Sequence, residues 1–275
     1  MNRLLQRLEK GIVLGAEGYL FELERRGYVK AGPFVPEAVL DHPEAVRQLH
    51  REFLRAGAEV VVAFTYYAHR SKVGQIERLA DLEELNRAAV RLASEVAAEG
   101  DALVAGNLSN TWEYDPQRPE ESRLRVRPMF EEQVRWAAEE GVDFFIAETF
   151  SHVGEALAAL QAVKEAGYPA LITFIPTGEQ SADGHPWAEA CRILEANGAD
   201  VVGLNCGRGP ATMEGLLADI RQSVGCYVAA QPVPYRTTER QPTFQTLRDP
   251  GGACAFPLNL DPFPVSYTHL RAHET

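Results

Sequence analysis

Two side chains with distinct chemistry stand at the ends of apolar segments of this sequence. Cys206 closes the segment GADVVGLNC, and Glu148 lies near the end of VDFFIAETF. A cysteine acts as a nucleophile or a metal ligand only as its thiolate. A carboxylate that ends a buried apolar run is costly unless a cation compensates its charge. Both residues are therefore candidates for a functional site, and an ordinary loop carboxylate in water is the alternative for Glu148.

Three amide side chains also close apolar segments, and the cysteines as a set show no motif. Asn107, Asn205 and Gln231 end such segments and are expected to orient a substrate or the backbone. The four cysteines include no CxxC pair, so their spacing indicates no disulfide framework. A small buried hydrophobe is the simplest interpretation of an isolated cysteine.

Short apolar segments alternate with longer amphipathic segments along the chain. The apolar segments are almost continuously hydrophobic, which is typical of strands buried on both faces of a parallel sheet. They are residues 12–15, 60–64, 102–107, 143–147, 169–174, 200–205 and 226–231. The intervening segments carry apolar residues at helical spacing, and most of them end in glycine, a helix C-terminal signal.

This alternation predicts an α/β fold, either an open doubly wound sheet or a barrel. No GxGxxG or phosphate loop follows the first predicted strand, which weakens the dinucleotide-binding alternative. The regular rhythm favours a (β/α)8 TIM barrel that is incomplete, with about seven strands present and the eighth β-α unit missing. A barrel presents its chemistry at the carboxyl ends of its strands, where Cys206 and Glu148 are found.

The composition is that of a soluble globular protein. Hydrophobic residues make up 45% of the chain and charged residues 24%. The formal net charge of −12 argues against a nucleic-acid partner, which would require a basic surface. No apolar run approaches the length of a membrane span, and the charged N-terminal segment MNRLLQRLEK is a poor signal peptide. We therefore expect a cytoplasmic protein without a nucleic-acid or membrane partner.

Two charged segments depart from the strand–helix pattern. Residues 114–127, YDPQRPEESRLRVR, follow the third predicted strand and are expected to form a solvated loop or an active-site lid. The last eleven residues, VSYTHLRAHET at 265–275, resemble the in-frame translation of a sequencing adapter. We interpret them as a non-native tail, so His269 and His273 are not expected to bind metal. One domain is predicted over residues 1–264.

Long segments of the sequence resemble homocysteine S-methyltransferases, and the betaine-using members of that family most of all. The likeness is nearly unbroken over GYLFELERRGYVKAGPFVPEAVLDHPEAVRQLHREFLRAGAEVVVAFTYYA. It continues through GDALVAGNLS, VDFFIAETFSHVGEA, GADVVGLNC, AAQPVPY and AFPLNLDP. The resemblance implies a (β/α)8 barrel that transfers a methyl group from betaine or a related methylated onium donor to the thiol of homocysteine, forming methionine. It also implies a zinc ion held by three cysteine thiolates, and it is compatible with a homo-oligomer.

The resemblance assigns Cys206 as the first zinc ligand. Zinc removes the proton of a bound thiol, and three protein ligands leave a fourth position open for the substrate sulfur. The family's other two ligands are adjacent cysteines in a Gly-Gly-Cys-Cys-Gly turn after the eighth strand, and that turn is absent from this sequence. The GGAC at 251–254 precedes AFPLNLDP, so Cys254 is not expected to be a ligand. Cys191 and Cys226 are expected to be structural.

The same resemblance assigns residues that bind the acceptor. Glu148 matches a glutamate that binds the amino group of homocysteine. The family's Asp-Gly-Gly in the first strand reads Ala16, Glu17 and Gly18 here, so Glu17 is a candidate to replace the missing aspartate. Asn205, which precedes the first zinc ligand, is expected to orient the substrate.

Residues that bind the methyl donor are assigned in the same way. Betaine carries a quaternary ammonium, which aromatic faces bind through cation–π attraction. Betaine-using members supply a tryptophan and two tyrosines for this purpose. Here Phe34 stands for the tryptophan, Tyr67 is retained, and Thr149 replaces the second tyrosine. Ordinary packing is the alternative role of Phe34 and Tyr67, and the smaller aromatic set leaves the identity of the donor open.

The sequence leaves three functional interpretations open. The first is zinc-dependent transfer of a methyl group to homocysteine. The second is a catalytically inactive barrel that at most binds small molecules, because two of the zinc-ligand cysteines are absent. The third is a zinc-free α/β enzyme that uses Glu148 as an acid or a base.

Overall fold

The computed structural model describes residues 2–30, 35–249 and 251–254. Within them, six strands form one sheet in which each strand pairs with its neighbour along the chain. The strands are β1 (Val60–Val62), β2 (Leu103–Ser109), β3 (Phe144–Phe150), β4 (Ala170–Phe174), β5 (Val201–Asn205) and β6 (Tyr227–Gln231). All the pairings are parallel, so the six carboxyl ends lie at the same edge of the sheet.

Ten α-helices connect or flank the strands in the described part of the chain. They are α1 (Arg3–Leu8), α2 (Tyr19–Arg25), α3 (Ala38–Asp41), α4 (Pro43–Arg55), α5 (Arg70–Val73), α6 (Leu82–Ala97), α7 (Pro119–Glu140), α8 (Val153–Glu165), α9 (Trp187–Ala196) and α10 (Pro210–Ser223). Two short 3₁₀ helices, Gly74–Ile76 and Leu79–Asp81, separate α5 from α6. The result is a curled, incomplete α/β barrel, which confirms the predicted fold class.

Of the seven predicted strands, the first does not form a strand in the structure. Residues 12–15 contribute a single parallel bridge between Gly15 and Val60. Two backbone hydrogen bonds flank it, from the Ala16 N–H to the Val60 carbonyl at 2.9 Å and from the Glu59 N–H to the Leu14 carbonyl at 2.7 Å. The segment occupies the edge position beside β1, but Ile12 is 75% exposed. Of the apolar side chains in this segment, Val13 packs against the core while Ile12 and Leu14 are exposed, and so little packing does not extend the ladder.

Strands β1 to β5 are largely buried on both faces, whereas β6 is partly exposed. Every residue of β2 is buried, and β3 contributes three of the largest fully buried side chains, Phe144, Phe145 and Phe150. Space is tight between β5 and β6, because a Cβ on Gly203 would overlap the Ala229 carbonyl group. Burial on both faces explains why the sequences of these strands are continuously apolar instead of alternating between apolar and polar residues.

The prediction of a loop or lid over residues 114–127 is wrong for most of its length. Helix α7 begins at Pro119, where the missing N–H of proline is tolerated, and it continues past Pro128. Ion pairs along the exposed surface support this first part, including Arg125 with Glu121 at 3.0 Å. A charged helix that faces water has the composition of a loop, which is why the sequence was misleading here. Residues 110–118 connect β2 to α7, so only residues 114–118 of the predicted segment lie outside the helix.

None of the described helices is both long enough and apolar enough to cross a lipid bilayer.

A buried histidine beneath the sheet makes stability depend on pH. His50 of α4 is fully buried and its Nδ1 lies 3.0 Å from the hydroxyl of Tyr19, which also accepts a hydrogen bond from the Val62 N–H. Burial, and secondarily the charge of Arg47, lowers the pKa of His50 from 6.5 to about 3. Because the folded-state pKa is the lower one, the contribution of neutral His50 to stability is complete above pH 6.5 and is lost as the pH falls toward 3.

We expect the His50→Gln variant to lose less stability on acidification than the wild type, because glutamine keeps an acceptor for Tyr19 but takes up no proton. Between pH 7 and pH 5 the His50 linkage removes about 2 kcal/mol from the free energy of unfolding. Urea unfolding at the two pH values measures this difference. The exposed His42, replaced by glutamine, serves as the control and should keep the wild-type pH dependence. Identical pH dependence of wild type and His50→Gln would refute the assignment.

Candidate functional site

Polar side chains from three strands meet at the carboxyl edge of the sheet around Glu148. The Asn107 Nδ2 of β2 donates to Glu148 Oε1 at 2.6 Å, and the Asn205 Nδ2 of β5 donates to Glu148 Oε2 at 3.0 Å. The Glu148 carboxylate is therefore held on both oxygens by neutral amides. Asn107 and Asn205 were predicted to orient a substrate or the backbone; in the structure both amides hold Glu148, and a role toward substrate stays a prediction.

A second carboxylate lies at the same edge and is held in the same way. The Gln231 Nε2 at the end of β6 donates to Glu17 Oε1 at 2.6 Å. Glu17 lies between the bridge at Gly15 and the start of α2, so the chain before α2 reaches across to the far strand of the described sheet. The structure thus brings Glu17 and Glu148, both predicted from the sequence, into one site.

The two carboxylates repel each other in a poorly hydrated environment. Both side chains keep part of their surface accessible, although protein surrounds them closely. Loss of hydration raises the pKa of Glu148 to about 7, and the hydrogen bonds from its neighbours offset only part of that shift. The same loss of hydration, with the charge of Glu148 as the next cause, raises the pKa of Glu17 well above its usual range. Neither carboxylate forms an ion pair with a described lysine, arginine or histidine.

An irregularity in β3 aims Glu148 into the site. The pairing of β3 with β4 is regular up to Ala147 and Ile172 and resumes at Phe150 and Phe174, so two residues of β3 oppose one residue of β4. Such a bulge bends the strand and redirects its side chains. Glu148 is the first of the two bulged residues of β3. Its side chain therefore contacts Asn107 on β2 and Asn205 on β5.

The second residue of the bulge, Thr149, adopts a left-handed backbone conformation. Its φ of 66° is strained for a β-branched residue. Asn205 holds it there, because the Asn205 Oδ1 accepts from the Thr149 N–H at 2.9 Å and the Asn205 Nδ2 donates to Thr149 Oγ1 at 2.7 Å. One amide therefore fixes both the strained residue and Glu148. The Thr149 hydroxyl is engaged in this network.

Cys206 directly follows β5 and is left-handed as well, with a φ of 57°. Its N–H donates to the Gln231 carbonyl at 2.8 Å, which ties it to the end of β6. Burial, partly offset by a backbone hydrogen bond from Gly207 and reinforced by the charge of Glu148, raises the pKa of the Cys206 thiol to about 12. Without a bound cation the thiol therefore stays protonated at neutral pH. Cys206 lies near Glu148 at the carboxyl edge and keeps some accessible surface, and its role as a zinc ligand stays a prediction.

Two adjacent tyrosines close another side of the site. The rings of Tyr66 and Tyr67 lie 4.2 Å apart between centroids, and their hydroxyls are 3.4 Å apart. The pKa of each is raised, mainly by burial, and the charges of Cys206 and Glu148 contribute in both cases. Tyr67 thus belongs to the same site as Cys206 and Glu148. Phe34, the other predicted aromatic residue of the donor site, lies outside the described residues.

The sequence analysis missed Trp112. It follows β2, its φ is 65°, and it is 65% exposed. Among the described residues, the non-glycine positions with left-handed φ are five, and four of them follow or close strands at this edge: Tyr67, Trp112, Thr149 and Cys206. Strained backbone of this kind clusters at functional sites. A large aromatic residue in a polar segment, NTWEYD, was the available signal.

The described residues do not fit a three-thiolate zinc site. No group of three or more histidine, cysteine, aspartate or glutamate side chains in the described ranges is arranged to hold a metal ion. Cys191 is buried within α9, and Cys226 precedes β6 at the opposite edge of the sheet. Cys254 is exposed and pairs through its backbone with Arg248. Cys206 is the single described thiol at the carboxyl edge.

Parallel strands, alternating helices and polar residues gathered at the carboxyl ends define an α/β-barrel type of enzyme scaffold. The sequence profile described as homocysteine S-methyltransferase matches residues 15–249. The chain belongs to the homocysteine S-methyltransferase family.

Similar proteins agree with this assignment. The chain is 42% identical over 249 residues to betaine–homocysteine S-methyltransferase 1 of Xenopus tropicalis, covering 86% of this chain and 60% of that protein. It is 41% identical over 248 residues to the Sus scrofa protein of the same name, covering 86% of this chain and 87% of that sequence. The metallated homocysteine methyltransferase MmuM from Escherichia coli has the same fold, with a TM-score of 0.70 at 21% identity over 82% of this chain and 85% of that chain.

We expect the Asn205→Ala variant to be destabilised by about 1–3 kcal/mol, because it leaves Glu148 and the strained Thr149 without their shared amide. Denaturant unfolding measures the loss. The exposed Asn197, whose Nδ2 donates to the Ile193 carbonyl at 2.8 Å, offers a matched asparagine-to-alanine control that should change stability by less than about 0.5 kcal/mol. Equal losses in the two variants would show that the Asn205 network contributes nothing specific.

Proposed function

We propose that the protein transfers a methyl group from a methylated onium donor to the thiol of homocysteine, forming methionine. Membership of the family supports the reaction class. The observation that carries the proposal is the pair Glu17 and Glu148, two carboxylates held by amides and without a described cationic partner. Two buried carboxylates without a cationic side chain nearby would be stabilised by a bound cation, such as the ammonium group of a substrate.

Homocysteine has the charges and the sulfur that this arrangement would accommodate. Its ammonium group compensates the repulsion between Glu148 and Glu17 and favours their ionised forms. With the amino group held there, the thiol of the substrate lies on the side of Cys206. In this proposal Glu148 binds the ammonium, Glu17 assists it in place of the aspartate found in relatives, and Asn205 keeps Glu148 in position.

The donor is proposed to be betaine or a related methylated onium compound. Tyr67 offers an aromatic face at the site, and the net charge of −12 favours approach of cations over anions. Thr149 supplies no ring at its position, and Phe34 remains a proposed residue of the donor site. Cytoplasmic location and homo-oligomeric assembly remain predictions from the sequence.

The zinc chemistry that the resemblance implies is not matched by the described residues, so no catalytic step is assigned to a metal here. Cys206 alone cannot provide the ligand set that fixes zinc. The alternative function is therefore a barrel that binds the acceptor and turns over negligibly. Acceptor binding and turnover must accordingly be measured separately.

We expect the Glu148→Gln variant to bind homocysteine about 10- to 100-fold more weakly, since it loses a charge-assisted hydrogen bond to the ammonium. Isothermal titration calorimetry measures the affinity. Mercaptobutanoate, which lacks the amino group, should bind wild type and Glu148→Gln equally, and the exposed Glu214→Gln on α10 should bind homocysteine like the wild type. Unchanged homocysteine affinity in Glu148→Gln would exclude this role.

We expect the purified polypeptide to retain far less than one zinc ion per chain after incubation with zinc and dialysis, because the described residues present one thiol at the site. Metal analysis by plasma mass spectrometry gives the ratio. The Cys206→Ala variant should show the same low content. Stoichiometric zinc in the wild type that disappears in Cys206→Ala would contradict the expectation and support zinc-dependent turnover.

A further inference from the structure

A lysine ammonium lies between two aromatic rings beside the site. The Nζ of Lys72, on the short helix α5, is 5.3 Å from the ring centroid of Tyr67 and 5.3 Å from that of Trp112. Both distances are within the range of cation–π attraction. The two rings therefore form a cleft that already holds a cation.

The position of Trp112 is imposed by the turn after β2 rather than by burial of its side chain. The preceding residue, Thr111, donates its N–H to the buried carboxylate of Glu155 at 2.7 Å and its hydroxyl to the same oxygen at 2.5 Å. The Thr111 hydroxyl in turn accepts from the Glu113 N–H at 3.2 Å. This turn holds a large, exposed indole in a left-handed conformation, which costs free energy through strain and through apolar exposure.

Lys72 is held weakly in the cleft. It forms no ion pair with a described carboxylate, and the nearby Glu113 is engaged by the Ser71 hydroxyl at 2.5 Å and by Arg125 at 3.8 Å. Partial burial lowers the pKa of Lys72, and attraction from Glu113 offsets only part of that shift. A lysine ammonium is strongly hydrated, whereas a methylated cation has less hydration to lose on entering the same cleft.

The cleft adjoins the carboxyl-edge site through Tyr67. The hydroxyl of Tyr67 lies 3.4 Å from that of Tyr66, and both hydroxyls sense the charges of Cys206 and Glu148. A cation between Tyr67 and Trp112 would thus stand beside the place proposed for the acceptor thiol. Trp112 would also supply the second aromatic wall that Thr149 does not.

We propose that Tyr67 and Trp112 form the binding cleft for the methylated cation of the donor, and that Lys72 occupies this cleft until the donor displaces it. This inference rests on the proposed methyl transfer. It makes Trp112 a determinant of donor specificity and Lys72 an internal competitor, so removal of each residue has the opposite effect on cation binding.

Titration calorimetry with tetramethylammonium, trimethylsulfonium and betaine tests the cleft on the intact chain. Trp112→Leu should weaken binding of all three about fivefold, whereas Trp112→Phe, which keeps an aromatic face, should restore most of it. Lys72→Met should strengthen binding about fivefold, and Lys72→Arg, which keeps a cation in the cleft, should not. Lys10→Met, at an exposed lysine after α1, removes one positive charge elsewhere and controls for net charge. Circular dichroism confirms folding of each variant.

The carbon isostere of betaine, tert-butylacetate, separates charge recognition from shape, and it should bind wild type and Trp112→Leu equally. Equal onium affinities of wild type, Trp112→Leu and Lys72→Met would overturn the inference. If methyl transfer proceeds with an unchanged KM for the donor in Trp112→Leu, the cleft fails and the proposed function stands. If the Trp112 and Lys72 effects on onium binding appear but no methyl transfer to homocysteine is detected, the cleft stands and the proposed function fails.

Discussion

Burial of two carboxyl groups without a described cationic partner dominates the chemistry at the carboxyl edge of this sheet. Glu17 precedes α2 and Glu148 lies on the central strand β3, and the donors that hold them are the neutral amides of Asn107, Asn205 and Gln231. An amide fixes the position of a carboxylate oxygen without cancelling its charge, whereas lysine or arginine would do both. The charge of the pair is therefore neutralised either by protonation, which the raised pKa values of Glu17 and Glu148 favour, or by an incoming cation.

Backbone strain at the same edge has a common cause. Left-handed residues redirect the chain where β3 and β5 end, at Thr149 and Cys206, and two more, Tyr67 and Trp112, lie in the segments after β1 and β2. At β3 the strain is concentrated in a bulge, where Thr149 is locked by Asn205 while Glu148 is turned inward. The free energy for these conformations comes from the buried sheet beneath, in which phenylalanines of β3 and the whole of β2 are removed from water. Site geometry and core packing are thus linked through the ends of the strands.

Much of this could be predicted from the sequence, because the informative features are local. Continuous apolar segments gave six of the strands, and the residues that close them gave Cys206, Glu148 and the amides. The first predicted strand was wrong because its stability depends on packing that the local sequence does not reveal. The prediction of a loop over residues 114–127 was wrong because an exposed helix and a loop share the same polar composition.

The contacts of Glu17 with Gln231 and of Lys72 with Trp112 join residues that are far apart in the chain. Local residue patterns do not show which distant segments come together in the fold. The domain limits 1–264 remain a prediction, and the tail at 265–275 lies outside the described residues.

The strictly sequential order of the strands has a consequence for biosynthesis. Each β-α unit adds to the unit made just before it, so a growing chain can build the sheet progressively as it leaves the ribosome. Glu17 is made early and its partner Gln231 late, so this contact joins the first and last translated parts of the described sheet. The hydrogen bond that holds Glu17 can consequently form only after the last described strand has been made, when most of the scaffold around Glu148 is already in place.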